Sequence, residues 1–124
     1  GILAILASKK GANVVHGIDN DANCILNSQK NARRKNQNQI LFRQSDIPPK
    51  EQGFYDYIFA NITKNVLSQH LKSYYKCLKI GGSLIISGIF ISDILELSKK
   101  AKALGLIKES IKENMLWAAM HFLK

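Results

Sequence analysis

Apolar and polar positions alternate along the chain in short blocks, each with the period of one kind of element. Ile2, Leu3, Ile5 and Leu6, with two alanines among them, are followed by Lys9, Lys10 and Gly11. This pattern predicts a short buried helix with cations in its last turn, a glycine stop and Gly1 at its mouth. Residues 14–18 form a brief apolar run bounded by Asn13 and Asp19, the pattern of a strand buried on both faces. Asp21 is placed to cap a helix whose apolar positions are Ala22, Ile25, Leu26 and Ala32, and which ends in the polar stretch 35–38. Residues 40–42 predict another strand. The following segment, 45–53, holds Pro48 and Pro49 and is expected to be a loop, because prolines lack the amide donor and restrict the residue before them. Aromatic and β-branched residues then predict a strand over 55–60, ending at Asn61.

In the second half, Leu67, Leu71, Tyr74 and Leu78 share one helical face over about 64–78, with Gly81 and Gly82 expected to close the helix. Residues 84–87 predict a buried strand. Ser92 is a candidate cap for a helix with the face Ile94, Leu97, Ala101 and Leu104, and Gly105 is its expected terminus. Two strand-like runs, 106–111 and 115–123, then meet at a tight polar connection over 112–114, which predicts an antiparallel pair at the end. Strands alternating with helices define an α/β fold: a mostly parallel sheet covered on both faces, with ligands at the C-terminal ends of its strands.

The 124 residues, 46% hydrophobic and 22% charged, have the size and composition of one globular domain. The longest apolar stretch, 84–91, is broken by Ser87 and Gly88 and falls far short of the roughly 20 residues that span a bilayer. Cys24 and Cys77 form no Cys-x-x-Cys and have no histidine at ligand spacing, so neither a disulfide scaffold nor a metal site is expected, and a reducing cytoplasm is. The chain opens at Gly1, without methionine, inside an apolar helical pattern, as expected of a sequence that starts within a longer protein. Eighteen basic against nine acidic residues give +9. This favours weak encounter with polyanions such as RNA, although only Arg33, Arg34 and Lys35 form a compact run, which also suits a helix C-terminus.

Three acidic or amide positions could carry chemistry. Asp19 follows a strand and lies eighteen positions after Gly1, close to the spacing at which dinucleotide-type folds set an acid on a ribose diol. A carboxylate there can accept from both hydroxyls, whereas Asp21 reads as a cap. Asp46, past the third strand-like run, could accept from an exocyclic amine or simply form a turn before Pro48. Asn61 stands between a strand and a helix. Its side-chain oxygen could cap that helix, or hold a substrate amine with its lone pair aimed at an electrophile. His16, His70 and His121 are isolated and read as packing or surface residues, and Trp117 reads as core.

Gly1-Ile2-Leu3-Ala4-Ile5-Leu6-Ala7, Gly17-Ile18-Asp19, Phe59-Ala60-Asn61-Ile62, Gly81-Gly82, Ser87-Gly88 and Trp117-Ala118 occur in this order across nearly the whole chain. Together they resemble the PrmA family, class I S-adenosylmethionine-dependent methyltransferases acting on the eleventh protein of the large ribosomal subunit. Residues 60–67 are the most specific part, while the glycine and Asp19 features are shared with class I methyltransferases generally. Of the family's glycine loop only Gly1 is present. The resemblance therefore implies a Rossmann-like sheet whose first, central strand and glycine loop are missing, and a catalytic domain without the family's N-terminal recognition domain.

It further implies that Gly1 allows close backbone approach to S-adenosylmethionine, that Asp19 and Asn20 hold its ribose, and that Asp46 and Ile47 border its adenine. Asn61 would face the methyl group. The partner implied is a ribosomal protein, and no metal is. Methyltransferases of RNA bases or of a release-factor glutamine are the alternative within enzymes; they usually carry Asn-Pro-Pro or Asp-Pro-Pro before an aromatic at this strand tip, where Ile62 and Thr63 stand here. A non-catalytic nucleotide-binding domain of the same fold is the alternative outside them.

Overall fold

The computed structural model describes residues 1–124 as two compact units, residues 1–48 and 49–124. The first contains α1 (Ile2–Lys9), β1 (His16–Asp19), α2 (Ala22–Arg34) and β2 (Leu41–Gln44). β1 and β2 pair in parallel, from His16 opposite Leu41 to Asp19 opposite Gln44. Ile5, Val15, Ala32 and Ile40 form the core, with Ala4, Ala7 and Phe42 packed against it. Asp21 caps α2 as its sequence predicts, its carboxylate accepting from the Asn23 amide at 2.8 Å.

Two expectations fail here for one reason. Neither α1 nor β1 is enclosed: Ile2 is 81% exposed, Leu3, Leu6 and Ile18 are also exposed, and only Ile5 and Ser8 of α1 are buried. A sheet of two strands offers too narrow a face to cover a helix all round or to bury a strand on both sides.

The second unit holds β3 (Tyr55–Asn61), α3 (Lys64–Cys77), β4 (Leu78–Phe90), a single 3-10 turn over Ile91–Asp93, α4 (Ile94–Leu104), β5 (Ile107–Asn114) and β6 (Trp117–Leu123). Its sheet has the order β3-β4-β6-β5. β3 and β4 are parallel, while β4–β6 and β5–β6 are antiparallel, so the chain ends on the expected antiparallel pair. Leu67, Leu71, Leu97 and Ala101 of the helices meet Leu84, Ile86, Met120 and Phe122 of the sheet in one buried cluster. Only that face is covered. Tyr57 and Phe59, which stack with ring centroids 6.4 Å apart, point the other way and are 64% and 49% exposed, contrary to a sheet enclosed on both faces.

Local chemistry explains two further differences. Gly81 and Gly82 do not close α3, which already turns extended at Leu78. They lie inside β4, where Lys79 to Gly82 bulge out between the pairs Tyr55–Leu78 and Tyr57–Ser83, and a Cβ on Gly82 would lie 2.8 Å from the Lys79 carbonyl oxygen. Ser92 does not cap α4 because it sits within the 3-10 turn, which the Asp93 carboxylate holds by accepting from the Phe90 amide at 3.0 Å; α4 itself begins after Asp93 without a side-chain cap. α4 ends at Gly105, φ +101°, as expected.

Candidate functional site

Within residues 1–48 the candidate residues gather at the C-terminal end of the two-stranded sheet. Asp19 ends β1, and the Ser45 amide just past β2 donates to its carbonyl at 2.9 Å. That bond is the last rung of the parallel ladder, so Asp46 and Ile47 leave β2 at the same end of the sheet at which Asp19 and Asn20 leave β1. The Gln44 side-chain amide donates to the Asn20 carbonyl at 3.2 Å. Ser45 Oγ fixes the turn, accepting from the Ile47 amide at 3.2 Å and donating to the Ile47 carbonyl at 3.1 Å. Asp46 is left exposed, and Ile47 offers an exposed apolar side chain beside it.

The two acids flanking Asn20 have different duties. Asp21 is spent on its cap. Asp19 accepts from the Asp21 amide at 2.9 Å through one carboxylate oxygen, and is exposed at the strand tip. Gly1 behaves otherwise: the space where its side chain would stand is filled by Ser28 of α2, whose Cβ lies 2.6 Å from that position. Its lack of a side chain therefore serves the packing of α1 on α2. Cys24, for which the sequence suggests neither a disulfide nor a metal, lies one turn beyond Asp21 and is exposed. Desolvation, then the charges of Asp19 and Asp21, push this thiol above its ordinary value. An open cleft of about 540 Å³ lined by Gln29, Arg33, Gln37 and Phe42 contains none of the candidate residues.

Within residues 49–124, Asn61 ends β3 opposite Ser87 of β4; Ala60 before it is buried and Asn61 is exposed. Asn61 is not a cap. The N-cap of α3 is Thr63, and no side chain bonds there. Lys64 in the first turn would oppose the positive helix end, and Glu96 of α4 compensates it at 2.7 Å. The hydrogen bond and charge of Lys64 hold the Glu96 carboxyl below its ordinary 4.5, and Glu96 in turn raises the Lys64 ammonium.

The pair therefore contributes from above the glutamate range up to the lysine range, and its contribution is lost as pH falls through the lowered Glu96 value. Both groups are exposed enough for solvent to screen them. Thermal melts should accordingly show only a small difference between wild type and Glu96→Gln at pH 7, shrinking in high salt and in acid.

The expectation of a core tryptophan is corrected here. Trp117 is 52% exposed and stacks on Phe90, centroids 4.6 Å apart, where β4 ends and β6 begins. Along β6 the side chains alternate: Ala118, Met120 and Phe122 point into the helix-covered core, and Trp117, like its partner Phe90, stands on the opposite, open face; Met115 and Leu116 at the adjoining hairpin turn are exposed as well. Periodicity places Trp117 in a strand, and the strand by itself does not say which of its two faces the helices cover.

Against known proteins, the model of the family described as Ribosomal protein L11 methyltransferase (PrmA) matches residues 1–124. The ribosomal protein L11 methyltransferase of Phocaeicola vulgatus is 37% identical over 123 residues, which cover 98% of this chain and 44% of that protein. The one from Porphyromonas gingivalis is 38% identical over 123 residues, 98% of this chain and 42% of that protein. The chain thus spans less than half the length of these curated relatives. Among solved structures, the ribosomal protein L11 methylase from Lactobacillus delbrueckii subsp. bulgaricus matches with a TM-score of 0.92 at 23% identity, over 98% of this chain and 63% of that one. A SAM-dependent methyltransferase from Aquifex aeolicus matches with a TM-score of 0.74 at 13% identity, over 98% of this chain and 74% of that one. At such identities the likeness concerns the Rossmann-like fold.

Proposed function

Because the chain belongs to the ribosomal protein L11 methyltransferase (PrmA) family, we propose that the whole protein transfers methyl groups from S-adenosylmethionine to amines of that ribosomal protein. The observation that carries this reading is the exposed Asp19 carboxylate at the tip of β1, with Asp46 and Ile47 gathered at the same end of the sheet. These residues fit the cofactor. Asp19 can accept from both ribose hydroxyls, Asp46 can accept from the adenine amine, and the Ile47 side chain can cover the flat apolar face of the base. Asn20 borders the ribose through its backbone. Gly1 contributes at most a close main chain, because its side-chain space belongs to Ser28.

S-adenosylmethionine supplies an electrophilic methyl group on a sulfonium. The chain's own part is alignment. With the cofactor bound, the Asn61 side-chain oxygen would accept an N–H of the incoming amine and so hold its lone pair in the direction that methyl transfer requires. A lysine amine with an ordinary pKa of about 10.4 must lose its proton before it attacks. An asparagine amide cannot take that proton, so Asn61 positions the amine and does not act as its base. The net charge of +9 favours encounter with the phosphate-rich ribosomal surface, which would add a weak, salt-sensitive contact to ribosomal RNA.

The test is Asp19→Asn in the whole protein. Asparagine keeps an oxygen for the Asp21 amide and so preserves the turn, but it removes the charge and one acceptor. Since a hydrogen bond to a charged group contributes roughly 1.5–3 kcal/mol, cofactor affinity should fall about tenfold or more with the melting temperature unchanged. Calorimetric titration with S-adenosylmethionine measures this; unchanged affinity would reduce Asp19 to a turn residue. No cofactor binding by the whole wild-type protein would favour the non-catalytic alternative.

A further inference from the structure

Asn61 lies at the tip of β3, and its neighbour across the sheet is a defect in β4. Ile86 pairs with Met120 and Ile89 with Ala118, so Ser87 and Gly88 on β4 stand opposite the single residue Ala119 on β6. This is a β-bulge, a device that bends a strand and re-aims what stands on it. Gly88 in the bulge has φ +76°. A Cβ built on it would overlap Asn61 Oδ1 and lie 3.6 Å from Asn61 Cγ. The Asn61 amide thus rests against the bare Cα of Gly88.

We propose that Gly88 is a positioning residue for Asn61: the bulge places a main chain without a side chain beneath the amide, and so sets the direction of Oδ1. The inference rests on the reading of Asn61 as the residue that orients the amine. Its physical basis is steric. β3 and β4 are locked in register by Ala60–Ile86 and Asn61–Ser87, so neither strand can slide to make room. A methyl group at position 88 must push the amide to another rotamer, and a lone pair misdirected by a fraction of an ångström loses the alignment that the reaction needs.

Left-handed backbone alone would also demand glycine, and the same strand contains a control for that. Gly81 has φ +84°, and a Cβ on it would meet nothing within 4 Å. Gly81→Ala carries a comparable backbone penalty without touching Asn61. The experiment measures kcat for methyl transfer, S-adenosylmethionine Kd and melting temperature in the whole protein for Gly88→Ala, Gly81→Ala, Asn61→Ala and the double variant Asn61→Ala/Gly88→Ala.

Gly88→Ala should lower kcat by about tenfold or more with Kd within about twofold of wild type, and Gly81→Ala should keep wild-type kcat at a similar melting temperature. Adding Gly88→Ala to Asn61→Ala should cost no further turnover, because the residue through which it acts is gone. Equal losses in the two glycine variants, or a full additional loss in the double variant, would overturn the positioning role and leave the reading of Asn61 intact. Normal turnover in Asn61→Ala would overturn both.

Discussion

Asn61→Ser in the whole protein is expected to lower turnover about a hundredfold while S-adenosylmethionine affinity stays near that of wild type. The size follows from geometry: displacement of a reacting group by about 1 Å can cost two orders of magnitude, and serine stops short of the position that the asparagine oxygen reaches. The selectivity follows from where the residue acts. Removing an interaction made in the transition state lowers kcat, whereas the ground-state complex with cofactor does not include it. Stability should hardly change, because α3 takes its N-cap from Thr63 and draws nothing from Asn61. Single-turnover methylation, calorimetric cofactor binding and a thermal melt on the same preparation measure the three quantities. Wild-type turnover at an unchanged melting temperature would leave Asn61 with no part in the chemistry.

Leu97→Ala should strongly destabilise the fold, by about 2–5 kcal/mol. Leu97 is completely buried in α4, within the cluster that joins Leu67 and Leu71 of α3 to Leu84 and Ile86 of β4 and Met120 and Phe122 of β6. Truncation removes apolar contact from both helices and two strands at once, and a sheet held on each side by its ladders cannot close over the cavity. Leu95, two positions earlier on the same helix, is 68% exposed, and Leu95→Ala should fall within about 0.5 kcal/mol of wild type. Urea denaturation of the two variants separates them; similar midpoints would contradict the burial of this face of α4.

The elements themselves follow from local periodicity. The 3.6-residue recurrence of Leu67, Leu71 and Tyr74 and the β-branched and aromatic run into Asn61 need no partner to be recognised, and both elements form where that pattern places them. Short-range chemistry is equally readable: Asp21 caps α2, and Gly105 ends α4, because each acts on main-chain groups only a few residues away. Asp19 and Asp46 could be singled out by their chemistry, and Asn20 and Ile47 only through the family resemblance, while their gathering at one end of the sheet depends on the Asp19–Gln44 register and the Ser45 amide bond, which join positions 25 or more residues apart.

Three features escape any reading along the chain for the same reason. Gly81 and Gly82 look like a helix stop until β3 pairs with β4 and shows them to be an excursion within a strand. Trp117 looks like core until the helices pack on the other face of β6 and leave it and Phe90 exposed. Gly88 looks like no more than a break in the apolar run 84–91 until the Asn61 amide rests against it. Hydrophobic period and capping are properties of a segment and its own backbone; register, bulges and the face that a covering layer takes are relations between segments far apart in sequence, and only their packing creates them.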